Sequence, residues 1–137
     1  MNCRADLTGE LRRGAEELAR QADCTEPKRA DATCVRRVQA AARAVCASSD
    51  PITPQAYLLD LVIEDVFYNV FGEVHYSEPT ERLRCEMCRL FGDFFKAFAD
   101  ALDTPDSATF PWAGFVTGYL EAIATANQRE EENVEFE

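Results

Sequence analysis

The sequence predicts an all-α domain, and two observations carry that prediction. Apolar residues recur at intervals of three and four along most of the chain, which gathers them on one face of successive helices. No stretch alternates apolar and polar residues for long enough to read as a half-buried strand. At 137 residues, 47% of them apolar and 28% charged, the chain is sized for one domain with its own core.

Taken in order, the first helix places Leu7, Leu11, Ala15, Leu18 and Ala22 on one face. The second starts near Asp31, a residue type suited to an N-cap, and carries Val35, Val38, Ala42 and Val45 on its stripe. Arg36, Arg37 and Arg43 then turn outward. The third is bracketed by Thr53 as a cap, Pro54 in the first turn and Gly72 at the end. Its run from Tyr57 to Phe71 is apolar over most of the circumference, which predicts a largely buried helix.

A loop holding Gly72 and Pro79 leads to the longest helix, about Thr80 to Leu102 and roughly 35 Å long. Leu83, Met87, Leu90, Phe91, Phe94, Phe95, Phe98 and Leu102 form its core face. Arg89, Asp93, Lys96 and Asp100 form a solvated stripe spaced for ion pairs. The last helix opens at Pro111, since proline suits a first turn, and aligns Trp112, Phe115, Val116, Tyr119 and Ile123. Gly114 and Gly118 inside it each cost about 1 kcal/mol relative to alanine, which predicts close helix contacts. Residues 1–128 therefore read as one helical domain, and residues 129–137 as an acidic, disordered tail.

Charge is divided unevenly. Residues 1–50 hold nine Lys/Arg and eight Asp/Glu, whereas residues 51–137 hold five and seventeen, giving the net −11. Such a chain repels nucleic acid and anionic membranes and favours basic partners. No run approaches the roughly 20 apolar residues of a membrane span. Residues 1–6 lack the apolar segment of a secretory signal, so a cytoplasmic or nuclear compartment is expected.

Six cysteines (Cys3, Cys24, Cys34, Cys46, Cys85 and Cys88) are then expected as reduced thiols acting as small apolar residues. Cys85 and Cys88 share a helix face, but only His75 is available to join thiols around zinc, so no metal or other cofactor is expected. No Gly-rich phosphate loop or supported nucleophile–base grouping is present, and no positioned partner can be named for His75. The chain reads as a non-enzyme without catalytic residues.

Trp112-Ala113-Gly114-Phe115-Val116 resembles the Trp-x-Gly-Phe-Val core of the second homology motif of the Bcl-2 family. Cys34-Val35-Arg36-Arg37-Val38 is similar to the groove-lining Leu-Arg-Arg-Val of survival members. A buried helix ending Val70-Phe71-Gly72, an acidic turn and an Arg-bearing helix containing Phe91-Gly92 resembles the order of the first homology motif. Arg84, eight residues before Gly92, stands where that motif has its arginine, with Arg82 the second candidate. The resemblance spans roughly residues 31–126. It departs from the family where Thr80-Glu81-Arg82-Leu83 replaces Asn-Trp-Gly and where Gln39-Ala40 replaces Gly-Asp. The interval from Arg84 to Trp112 is also about fifteen residues short, and such degenerate motifs and deletions resemble viral members.

The resemblance implies a Bcl-2-like bundle around a central apolar helix, with a surface groove that sequesters the BH-3 helix of pro-death relatives and so inhibits apoptosis. Val35, Val38, Ala42 and Val45 would line that groove from the second helix. Leu58, Leu61, Val62, Asp65 and Val66 would line it from the third, and Cys85 and Cys88 from the fourth. Arg84 or Arg82 would pair with the ligand's Asp. The acidic second half would favour basic residues beside the ligand's apolar face. A protein without an anchor would stay cytoplasmic and reach mitochondria through its partners. An unused groove also predicts a homodimer. An acidic all-α adaptor or dimeric scaffold without BH-3 binding is the alternative, and a Cys85/Cys88 metal or redox protein a lesser one.

Overall fold

Asn2 starts the first helix, its side-chain oxygen accepting the Ala5 amide at 3.1 Å while Asp6 complements the positive end of the dipole. The computed structural model describes the backbone of residues 2–22, 33–70, 81–104 and 109–135; the side chains of 65–70, 81–84 and 126–135 lie outside the description. The described residues form α1 (Cys3–Gln21), α2 (Thr33–Ala47), α3 (Thr53–Val70), α4 (Glu81–Leu102) and α5 (Trp112–Glu135), with no strand among them. The chain is all-α. Asp31, Gly72, His75, Pro79 and Thr80, which the sequence reading used for caps and loops, lie outside the described residues.

Three boundaries differ in their chemistry. At α3 the Ala56 amide donates to the Ile52 carbonyl, so Ile52 is the cap, and Thr53 instead donates its hydroxyl to the Asp50 carbonyl at 2.6 Å. Pro111 likewise stands just before α5, accepting from the Phe115 amide at 3.0 Å. At the other end α5 continues to Glu135, through the acidic run read as a tail, because residues 120–135 contain no Gly or Pro to stop a helix.

α4 is the central helix. It packs along α1 on one side and α5 on the other, while α2 joins α1 to α3. Its Phe91, Phe95 and Phe98 are fully buried with Leu7, Leu11 and Leu18 of α1, Val35, Val38 and Val45 of α2, and Leu59 and Ile63 of α3. Gly14 sits where α1, α2 and α4 meet: an added Cβ would stand 3.2 Å from Phe95 Cδ2 and 3.3 Å from Val38 Cγ2. At Gly92 of α4 an added Cβ would stand 3.4 Å from the Ala15 carbonyl oxygen of α1, in ordinary contact.

The central position expected for α3 is thereby corrected. Among its described side chains only Ala56, Leu59 and Ile63 are buried, and they face α2. Polar pairs reinforce that contact: Arg43 meets Asp60 at 3.0 Å, and Gln39 donates to Glu64 at 2.6 Å. At the near end Arg4 clamps Asp50 at 2.6 Å and so ties the α2–α3 turn, with Ser49 at φ 60°, to the start of α1.

Candidate helix-binding face

The large apolar side chains left exposed fall on two helices only among the described residues. On α3 they are Tyr57 (56%), Leu58 (45%) and Leu61 (48%); on α5 they are Val116 (55%) and Leu120 (61%). At 100° per residue Leu58 and Leu61 share one flank of α3, and half-buried Val62 leads from them into the core. Val116 and Leu120 follow one another by a helical turn on α5, beside half-buried Trp112 and Ile123.

One hydrogen bond links the two helices. Trp112 Nε1 donates to Gln55 Oε1, joining the first turn of α5 to the first turn of α3. Beyond that tie the two helices do not pack on each other among the described residues. α5 rests on the aromatic core of α4. Phe115 lies 4.4 Å from Phe94 and 5.4 Å from Phe91, centroid to centroid, and Trp112 lies 5.4 Å from Phe94 and 5.7 Å from Phe98. Gly118 permits this approach, since an added Cβ would stand 2.6 Å from Leu90 Cδ1.

The structure redistributes the groove residues expected from the sequence. Val35, Val38, Ala42 and Val45 are buried in the core, so they cannot line a surface groove. The reason is that α2 has one apolar stripe, and packing on its neighbours consumes it. Leu58 and Leu61 are exposed, and Val62 is half-buried. Cys85 and Cys88 are buried rather than groove-lining. Cys85 is also disulfide-bonded, which corrects its reading as a reduced thiol. Cys3, Cys34, Cys46 and Cys88 carry thiols, and Cys24 lies outside the described residues. The side chains of Asp65, Val66, Arg82 and Arg84 are outside the description, although their backbone is helical.

Sequence reasoning missed Tyr57, Leu120 and Gln55. The available signal was the uncharged run from Trp112 to Leu120, whose apolar arc is wider than one neighbouring helix can cover. Reading that arc as a single core face hid its exposed edge.

Asp60 and Glu64 of α3 share the cation Arg43 of α2, and Glu121 of α5 is exposed near Glu86, Arg89 and Asp93 of α4. Elsewhere a cleft of about 530 Å³ lies between α1 and α4, floored by Ala15, Ala19, Ala22 and Gly92 and rimmed by charges of both signs. Arg12 on its rim is held by Asp103 and Asp100, whose hydrogen bonds raise its pKa further. The Cys46 thiol is pushed up by burial and by nearby Asp60, which disfavours the nucleophilic thiolate. Among the described residues no three His, Cys, Asp or Glu side chains converge to hold a metal ion, and no helix is long and apolar enough to cross a membrane. No family model, curated protein or solved structure matches this chain.

Proposed function

We propose that this chain is a non-catalytic helix-binding protein of the Bcl-2 survival type, which blocks cell death by sequestering the BH-3 helix of a pro-death relative. The observation that supports the reading is the pair of exposed apolar rows, Leu58 and Leu61 on α3 and Val116 and Leu120 on α5. Monomeric proteins rarely leave such surface open without use. An amphipathic helix with anchors at i, i+3/i+4 and i+7 fits between two such rows. Arg84, with Arg82 as second candidate, supplies the cation for the ligand's Asp, and the acidic surroundings select a ligand with basic flanks. Recruitment to mitochondria then follows from the partner.

Calorimetric titration against a panel of BH-3 peptides tests this. At least one peptide binds, and Arg84→Ala weakens it by about 1.5–3 kcal/mol. A chain that binds none, yet sediments as a dimer that Leu120→Glu dissociates, is the acidic scaffold instead.

A further inference from the structure

We infer that the outer face of α4 is a self-association surface, on which a second copy of this chain lies with its own α4 antiparallel. Among the described side chains of α4 the exposed ones are Arg89, Asp93, Lys96 and Asp100, all charged. At 100° per residue they fall within about 60° of arc, on one line roughly 16 Å long. Their intervals of four, three and four read the same from either end, while their signs run plus, minus, plus, minus and so invert on reversal. A two-fold axis between Asp93 and Lys96 therefore sets Asp93 against Lys96 of the second copy, and Arg89 against its Asp100. An interface between identical surfaces requires that self-complementarity.

The centre of the stripe is unsatisfied within one chain. Its spacing allows ion pairs along the helix, yet Arg89 turns to Glu86 at 3.2 Å and Asp100 to Arg12 at 3.1 Å. Asp93 and Lys96, the two residues beside the axis, have neither an ion pair nor a hydrogen bond among the described residues. The cleft of about 530 Å³ between α1 and α4 runs along the stripe, with Arg89, Asp93 and Lys96 on its rim. Its floor of Ala15, Ala19, Ala22 and Gly92 carries no long side chain, so the aliphatic stems of Arg89 and Lys96 of the second copy can lie over it. The cleft is lined by three cations, Arg12, Arg89 and Lys96, and two carboxylates, Glu16 and Asp93. A second copy thus meets less repulsion here than a chain of net charge −11 offers elsewhere. This association uses none of Leu58, Leu61, Val116 and Leu120, so it stands apart from the binding proposed above.

Sedimentation equilibrium of the whole chain, with charges reversed beside the axis, tests it. The wild type should form a dimer whose dissociation constant rises with salt, because exposed ion pairs are screened. Asp93→Lys should raise that constant roughly tenfold, since two attractions become two repulsions, and Lys96→Asp should do the same. Both changes in one chain should restore the dimer, and mixing the two single variants should give a heterodimer. In each case every contact between positions 93 and 96 again joins opposite charges. Helical circular dichroism should be the same in all variants, which separates lost association from lost folding. A wild type that stays monomeric from micromolar to millimolar concentration overturns the inference. So does a dimer that neither single change weakens, including one that only Leu120→Glu dissociates. Failure of the double change to restore the dimer overturns the antiparallel pairing.

Discussion

α3 and α4 are both strongly apolar, yet one lies at the periphery and the other at the centre. α3 is apolar nearly all round, whereas α4 gives one side to charge and the other to bulk. Phe91, Phe95 and Phe98 are fully buried there, while Arg89, Asp93 and Asp100 face water. The central place goes to the helix with the largest one-sided volume, since a packed interior is filled by shape as well as hydrophobicity. Among its described side chains α3 gives Ala56, Leu59 and Ile63 to the interior and leaves Tyr57, Leu58 and Leu61 exposed. Those exposed residues are the ones the proposed binding face uses.

The contrast breaks most directly at Phe95. Phe95→Ala should lower stability by about 3–5 kcal/mol in urea unfolding, through lost burial plus the cavity left at the α1–α2–α4 junction. A cost no greater than that of Leu61→Ala would remove the distinction between the helices. Gly14→Val sharpens it from the opposite direction, because its Cβ meets Phe95 at 3.2 Å and Val38 at 3.3 Å. Overpacking there should cost about 1–3 kcal/mol by the same measurement.

The Arg4–Asp50 clamp, which holds the α2–α3 turn to α1, is worth less. Asp50 is held below the ordinary aspartate pKa, first by its hydrogen bond from Arg4 and then by the Ile52 amide. Because the folded pKa is the lower one, this stability is fully present above the unfolded value of about 3.9 and is lost as pH falls through the folded value. Asp50→Asn should cost up to about 1 kcal/mol at pH 7 and progressively less in acid, read from urea midpoints along a pH series. The smallest effect is expected at Leu61: Leu61→Ser should change stability by less than about 0.5 kcal/mol while weakening peptide binding.

The helices were legible because apolar residues recur at three and four, and that spacing gave the core faces of α1, α2 and α4, while on α5 it also took in exposed Val116. The exception, α3, has apolar residues in every direction, and periodicity then gives no inward side. The binding face was less legible for a related reason. Val35, Val38, Ala42 and Val45 look the same in sequence whether a stripe lines a groove or fills a core, and burial decided for the core. Gln55 carries no pattern at all; its role arises only when folding brings Trp112 to it from 57 residues away. The Cys85 disulfide was hidden likewise, since six cysteines admit many pairings and spacing selects none.

Backbone hydrogen exchange with and without a bound BH-3 peptide is the most direct measurement of where a partner helix sits. Protection gained in α3 around residues 55–64 and in α5 around 112–123, with α2 unchanged at residues 33–45, is the predicted footprint. Protection confined to α1 and α2, or to the cleft between α1 and α4, would contradict it.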